Sequence, residues 1–246
     1  MNLGALAVAA VPRAPGTDGL AQVARAGADL GAQLALGAPT GSSAVKIFIL
    51  VTALSFASAL ILSLTSFTRI IIVLSFLRLA LGTPQLPPNP VLMGLSLFLT
   101  MFIMAPTAAR VHREALGPYL EDKITATEAL ERGEGPLRSW MLKQTQEDDL
   151  RLFFEISGQP RPARAEALPM SVVVPAFMVS ELGTAFRMGL YVLVPLLLID
   201  VLVAAILMSL GMMMVPPQLV SMPLKIGVFL LAGGWHLVVS SMVKSF

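Results

Sequence analysis

Long apolar stretches with almost no charge limit how this chain can fold more than any other feature. Val45–Leu64 holds a single charge, Lys46, at its edge, and its length is about that needed to cross the hydrocarbon core of a bilayer. Pro169–Met214 is a second long apolar stretch. Within a bilayer the backbone must satisfy its own hydrogen bonds, and the sequence lacks the alternating pattern of strands. We therefore predict an all-α, membrane-associated fold built of helical hairpins.

Two shorter apolar runs lie between these stretches. Ile70–Gly82 is too short to cross a bilayer alone, and Val91–Ala105 is marginal because Pro106 is expected to end it. Thr83–Pro90 separates the two runs, and its prolines forbid a helix through it. We group residues 44–106 as N-terminal hydrophobic helices, which either span the membrane or pack mainly against other protein.

Charge is concentrated in residues 107–168, which hold 11 acidic and 9 basic residues. The chain as a whole is only 13% charged, so this segment differs sharply from the rest. Loosely periodic apolar positions among these charges predict a small, water-facing helical subdomain. Residues 169–246 form the last region, which we predict as C-terminal hydrophobic helices.

Lysine and arginine in the connections indicate the orientation in the membrane. The segment between Val45–Leu64 and Val91–Ala105 contains Arg69 and Arg78 and no acid. A later connection, after the three methionines, holds Lys225 and no acid. The positive-inside rule predicts that both connections face the cytoplasm, which places the charged subdomain on the periplasmic side. Residues 1–43 are predicted as a leader or signal-peptide-like linker, although no Lys or Arg precedes their apolar part at Leu3–Val11.

Three charged residues interrupt the C-terminal apolar stretch: Glu181, Arg187 and Asp200. A charge at bilayer depth is costly and normally faces a partner or a water-filled cavity. The basic residues available to the two acids are Arg69, Arg78 and Lys225. Two interpretations stay open: the charges serve assembly between segments or subunits, or they form a proton or ion relay. For Glu181 we predict a basic partner on a neighbouring subunit or element, with Arg187 as a further candidate, and a weaker ring when Glu181 is replaced.

Catalytic and metal sites are not indicated by the sequence. The chain has no cysteine, and its two histidines, His112 and His236, lie far apart without metal-ligand spacing. No nucleophile–base pair stands out, so we predict neither enzymatic activity nor a cofactor. The net charge of +2 gives no basic stripe for nucleic acid. An ion-coupled small-molecule transporter remains an alternative, although no internal repeat is visible.

Five stretches together resemble one known family. They are LTSFTRIIIVLSFLRLALGTPQLPPN, LERGEGPLRSWMLKQT, PAFMVSELGTAFRMG, LGMMMVPP and PLKIGVFLLAGGW. Because they follow one another in order and without large gaps, residues 45–246 resemble the FliP family of flagellar export-gate proteins, whose counterparts in virulence injectisomes are the SctR proteins. The LTSFTRIIIVLSFLR and TPQLPPN stretches favour the flagellar branch over the injectisome branch.

The resemblance implies a ring-forming subunit of the type III secretion export gate, in the bacterial inner membrane at the flagellar basal body. It implies a homo-oligomer, a pentamer, that assembles with FliQ-like and FliR-like subunits and works with FlhA-like and FlhB-like export proteins. Unfolded protein substrates would pass through its centre. The resemblance also implies that the methionine-rich loop, here Met212, Met213 and Met214, lies at the constriction as a gasket.

The composition of this loop suits a gasket. Methionine is apolar, unbranched and easily repacked, so several such side chains can exclude water when idle and yield to a passing polypeptide. Gly211, Pro216 and Pro217 are predicted as the anchors of the loop. Gly211 is expected to loosen the end of the preceding helix, while Pro216 and Pro217 are expected to hold the loop in an extended form. Without the family resemblance, the same methionines would more often be core residues.

Overall fold

The computed structural model describes residues 45–49, 51–52, 62–83, 85–158, 162 and 168–246. The regular elements among them are helices, which confirms the predicted all-α fold. The predicted leader, residues 1–43, lies outside the described residues, as does part of the first apolar stretch. The helices from residue 67 onward are α1 (Phe67–Ala80), α2 (Asn89–Val111), α3 (Gly117–Leu120), α4 (Ala126–Gln144), α5 (Glu147–Ser157), α6 (Met170–Ser209), α7 (Pro217–Leu231) and α8 (Gly234–Lys244).

The chain divides into two compact units, residues 1–56 and residues 57–246. In the first unit the described residues, 45–49 and 51–52, are helical. The second unit contains α1 to α8 and all of the features discussed below.

Two continuous helical stretches in the described part of the chain are long and apolar enough to cross a membrane. One runs from Asn89 to Leu120 over 32 residues, and the other is α6, with 40 residues. Helices α7 and α8 meet at an angle of 64° and would together make a third, broken span. The bend falls at Gly233, whose φ of +63° lies in the left-handed region that favours glycine.

The expectation that Pro106 ends the second short run was wrong. Helix α2 continues through Pro106 to Val111 and then, by way of a π-helical turn at His112–Leu116, into α3. Proline removes only one backbone donor, and a long helix held by its neighbours tolerates this loss. Met104 and Thr107, on either side of Pro106, are both buried against other parts of the chain. The helix therefore crosses the boundary that we predicted at residue 106, while the predicted domain limits stay predictions.

The charged segment begins within α2 and includes α3, and its residues 126–157 contain α4 and α5. Helix α4 begins with a capping box, in which the Thr125 hydroxyl accepts from the Glu128 backbone N–H at 3.3 Å and a Glu128 carboxylate oxygen accepts from the Thr125 N–H at 3.0 Å. The hydrogen bonds that the Thr125 backbone N–H and hydroxyl donate to the Glu128 carboxylate lower the pKa of this exposed carboxyl. The apolar face of the segment packs against the start of α6, and the Trp140 and Phe177 rings meet edge to face at 5.1 Å.

Helix α1 lies along the middle of α6. Its buried stripe, Ile70, Val73, Leu74 and Leu77, follows the three-to-four-residue spacing of one helix face. The 14-residue α1 is thus held by protein contacts on this face, and its length does not need to match the bilayer. The closest approach occurs where the Phe76 ring lies over Gly189 and meets the Phe186 ring edge to face at 5.3 Å.

This approach generates a prediction for Gly189→Ala. A Cβ atom at residue 189 would lie 2.5 Å from Phe76 Cγ, so α1 must shift, and we expect a loss of about 1–3 kcal/mol in the free energy of unfolding. Gly94→Ala in α2 is the matched control, because a Cβ atom there meets no atom within 4 Å, and it should stabilise by about 0.5–1 kcal/mol. Thermal unfolding of both variants in detergent checks the pair, and equal unfolding temperatures would contradict the packing described here. Adding Phe76→Ala should remove much of the Gly189→Ala effect.

Candidate functional site

The connection between α6 and α7 is a tight loop that contains three consecutive methionines. Helix α6 ends in a Schellman motif, in which the Gly211 N–H donates to the Met208 carbonyl at 3.0 Å and the Met212 N–H donates to the Leu207 carbonyl at 2.9 Å. Gly211 supplies the left-handed residue that this motif requires, with a φ of +75°. The expectation that Gly211 loosens the helix end was therefore wrong, because it fixes the end with two hydrogen bonds.

The methionine side chains point away from the rest of the chain. Their exposed fractions rise along the loop from 44% at Met212 to 83% at Met213 and 95% at Met214. Pro216 is the residue before α7 and Pro217 is its first residue, where a proline costs no hydrogen bond. The two prolines thus start the next helix one residue after the methionines, so the loop is short.

A buried polar cluster lies between the two helices that carry this loop. We call it the Lys225 cluster; it comprises Lys225 and Ser221 of α7, Asp200 of α6 and the backbone carbonyl of Ala80, the last residue of α1. The Lys225 ammonium donates to an Asp200 carboxylate oxygen at 2.5 Å and to the Ala80 carbonyl at 3.0 Å. The Ser221 hydroxyl donates to the other Asp200 oxygen at 2.6 Å. Lys225 and Ser221 are almost fully buried, so these bonds compensate for their loss of water.

A second buried cluster surrounds Arg69 in the first turn of α1. Its guanidinium binds the Glu181 carboxylate of α6 through two nitrogens, and the Nε–Oε2 distance is 2.9 Å. It also donates to Gln144 Oε1 at 3.2 Å and to the Ser245 carbonyl at 3.0 Å, and its Cζ lies 3.9 Å from the centre of the Phe246 ring. Arg69 and Glu181 are both almost fully buried, and their bidentate geometry is the strongest available to a carboxylate. This Arg69 cluster joins α1, α4, α6 and the segment after α8.

The structure brings together four of the six charged residues that the sequence singled out. Arg69 pairs with Glu181 and Lys225 pairs with Asp200, in both cases within one chain. Of the other two, Arg78 donates to Asn89 Oδ1 at 2.6 Å and the exposed Arg187 donates to Thr184 Oγ1 at 3.2 Å. The two acids are already neutralised inside the chain, and a role for any of the six in contacts between subunits stays a prediction.

An ion relay that uses both acids does not fit this geometry. Glu181 and Asp200 lie on the same helix, 19 residues and hence about 28 Å apart. The Glu181 carboxylate is held by Arg69, and the Asp200 carboxylate is held by Lys225 and the Ser221 hydroxyl. In the described part of the chain, the structure also brings no three His, Cys, Asp or Glu side chains together as metal ligands.

Sequence analysis missed the neutral members of both clusters. Gln144, Ser245 and Phe246 carry no motif that links them to Arg69, and a backbone carbonyl such as that of Ala80 has no signal in the sequence at all. Ser221 could have been found, because it precedes Lys225 by four residues and therefore lies on the same face of a helix.

Comparison with known proteins gives a consistent result. A sequence model described as the FliP family matches residues 50–242. The chain is similar to the flagellar biosynthetic protein FliP of Pectobacterium carotovorum subsp. carotovorum, with 50% identity over 85% of this chain and 81% of that protein. It is also similar to the proteins of the same name from Bacillus subtilis (strain 168), with 47% identity over 83% of this chain and 93% of the relative, and from Caulobacter vibrioides, with 46% identity over 87% and 80%.

The Arg69 cluster generates a prediction for Glu181→Ala. Removal of the carboxylate leaves the Arg69 guanidinium buried without its counter-charge, which should cost about 3–5 kcal/mol in the free energy of unfolding. Glu155→Ala is the matched control, because it breaks an exposed ion pair with Arg151 and should cost at most about 0.5 kcal/mol. Chemical or thermal unfolding of the two variants in detergent checks this difference. Similar stability of the two variants would show that the Arg69–Glu181 pair does not hold the fold.

Proposed function

Because the chain belongs to the FliP family, which confirms the family identified from its motifs, we propose that it is a subunit of the bacterial flagellar protein export apparatus. In this proposal several copies assemble in the inner membrane around a conduit for unfolded flagellar proteins. The methionine loop of each copy lies at the narrowest point of that conduit and closes it when no substrate is present.

The exposure of the methionine tips is the observation that carries the proposal. Met213 and Met214 are almost entirely uncovered in the single chain, although removal of apolar side chains from water is favourable. The loop that carries them is anchored at both ends by the Schellman motif and the start of α7. Anchored ends and free apolar tips suit a seal that forms only when several copies bring their tips together.

Methionine also fits the mechanics of such a seal. Its thioether side chain repacks at little cost, so the ring can adapt to polypeptide side chains of different sizes. An apolar constriction excludes water and ions without a rigid plug, because a narrow apolar passage empties of water. The same property lets the constriction reopen when a substrate enters.

Large exposed apolar surfaces support assembly with other subunits. On α6 alone, Tyr191, Leu198 and Val201 have exposed fractions of 80%, 64% and 65%. Such surfaces need lipid or protein neighbours. We assign them to further copies of the chain and to the FliQ-like and FliR-like subunits. Contacts with FlhA-like and FlhB-like export proteins, and a periplasmic position for α4 and α5, belong to the same proposal.

An equivalent gate in a virulence injectisome is the second candidate. The names of the relatives reported above favour the flagellar system over it. Deletion of the gene distinguishes the two, because loss of motility with intact secretion of virulence proteins is expected only for the flagellar role.

The gasket role predicts the effect of replacing Met212, Met213 and Met214 together with glycine. We expect entry of small polar dyes or ions to rise several-fold in cells that express the assembled complex, because the apolar closure is lost. The ring itself should still be recovered by native electrophoresis, since the loop packs against little else.

The control variant is Met93→Gly/Met101→Gly, which removes two exposed methionines from α2. Its permeability should stay at the level of the unmodified complex. If intact rings of the triple variant leaked no more than this control, the gasket role would be excluded.

A further inference from the structure

We propose that the Lys225 cluster is a positioning device that holds the methionine loop in its closed arrangement, with α1 as its fixed support. This inference rests on the proposed function and adds to it the residues that set the position of the loop. It assigns Lys225, Asp200 and Ser221 a role in gating in addition to any role in folding.

The cluster lies at the base of the hairpin formed by α6, the methionine loop and α7. Asp200 precedes the end of α6 by nine residues, and Lys225 follows the start of α7 by eight, which corresponds to about 12–14 Å on each arm. Among the described residues, the side-chain hydrogen bonds that join the two arms are those that Ser221 and Lys225 donate to Asp200. The angle between the arms, and hence the position of the loop, depends on these bonds.

Helix α7 has little else to fix it. Its buried residues are Ser221, Lys225 and Phe229, spaced by four along one face, and two of the three are polar. Most of its other apolar side chains, such as Leu219 and Leu231, are exposed in the single chain, while Met222 and Ile226 are half-buried. An inward face of this kind selects one register through its polar bonds, because a shift along α6 would leave Lys225 buried without an acceptor.

The third contact of Lys225 connects the hairpin to a fixed element. The Ala80 carbonyl belongs to the C-terminal turn of α1, where carbonyl groups lack helix partners and carry the negative end of the helix dipole. The other end of α1 is held to α6 by the Arg69 cluster. Between these two ends, the apolar stripe of α1 is buried in the core. Lys225 therefore ties α7 to a helix that cannot move freely.

The direction of this contact leads to a test that distinguishes the Lys225 cluster from a simple ion pair. In the exchange variant Asp200→Lys/Lys225→Asp, the two opposite charges are still present, but a carboxylate now faces the Ala80 carbonyl and the negative end of α1. A cluster that only neutralises charge would tolerate the exchange, whereas a cluster that positions α7 through α1 would not.

The experiment compares variants in the complete export complex. The main variant is Asp200→Asn/Lys225→Met, which removes both charges together and leaves no unpaired ion, so that folding is preserved as far as possible. The control is Arg151→Gln, which removes an exposed charge on α5 that pairs with Glu155, away from the loop and from both clusters. The measurements are passive dye entry, ring assembly by native electrophoresis and protein export.

We expect intact rings with about a tenfold increase in passive dye entry for the main variant, since bonds to charged groups shift a two-state equilibrium by at least this factor. The exchange variant should leak to a similar degree, Ser221→Ala should leak less than the main variant, and Arg151→Gln should not leak. If the main variant does not assemble, a leak from Ser221→Ala rings supports the inference, and tight Ser221→Ala rings overturn it. Intact main-variant rings that stay tight, or tight rings in the exchange variant, also overturn it.

The methionine variants separate this outcome from failure of the proposed function. If the glycine triple variant leaks and the Lys225-cluster variants do not, the gasket stands and the positioning role falls. If the glycine triple variant does not leak either, the proposed function itself falls.

Discussion

A charged side chain surrounded by apolar residues has to be neutralised and hydrogen-bonded by the protein itself, and this requirement organises the described part of the chain. Arg69 and Glu181 are buried together, as are Lys225 and the inward side of Asp200. Because removal of water from a charge is costly, each pair is retained only with additional neutral partners, here Gln144, Ser245, Ser221 and a backbone carbonyl. The two clusters thereby select one relative arrangement of helices whose apolar surfaces alone would pack in several ways.

Helix α1 connects the two clusters. Arg69 lies in its first turn and the Ala80 carbonyl in its last, so a helix too short to span a membrane is attached at both ends to the long α6 and to α7. From this attachment the hairpin of α6 and α7 carries the methionine loop away from the packed part of the chain. The same chain thus combines a polar, fixed base with an apolar, uncovered tip. The proposed gate needs both, because it must close tightly and still admit varied substrates.

Residue types predicted the fold class and the family. They also singled out the four charges that pair inside the chain, together with Arg78 and Arg187, which pair with no acid among the described residues, but they did not predict which base pairs with which acid. Several basic residues were available for two acids, and the choice between them depends on the way α1 runs alongside α6, which no local pattern specifies. The rule that proline ends a helix failed at Pro106 because packed neighbours support α2 on both sides of it. Gly211 was predicted to loosen a helix and instead completes a Schellman motif, since the partners of its hydrogen bonds are visible only in three dimensions.

The central claim is that methionine tips from several copies meet on one axis. Because the sequence contains no cysteine, a single Met213→Cys substitution gives each copy of the chain one thiol. Mild oxidation of the assembled complex should then join neighbouring copies by disulfides, since a disulfide requires Cα atoms within about 7 Å. Covalent oligomers that disappear on reduction are the result that the account predicts. Monomers alone, from rings shown to be intact and with thiols that react with a lipid-soluble reagent, would contradict it.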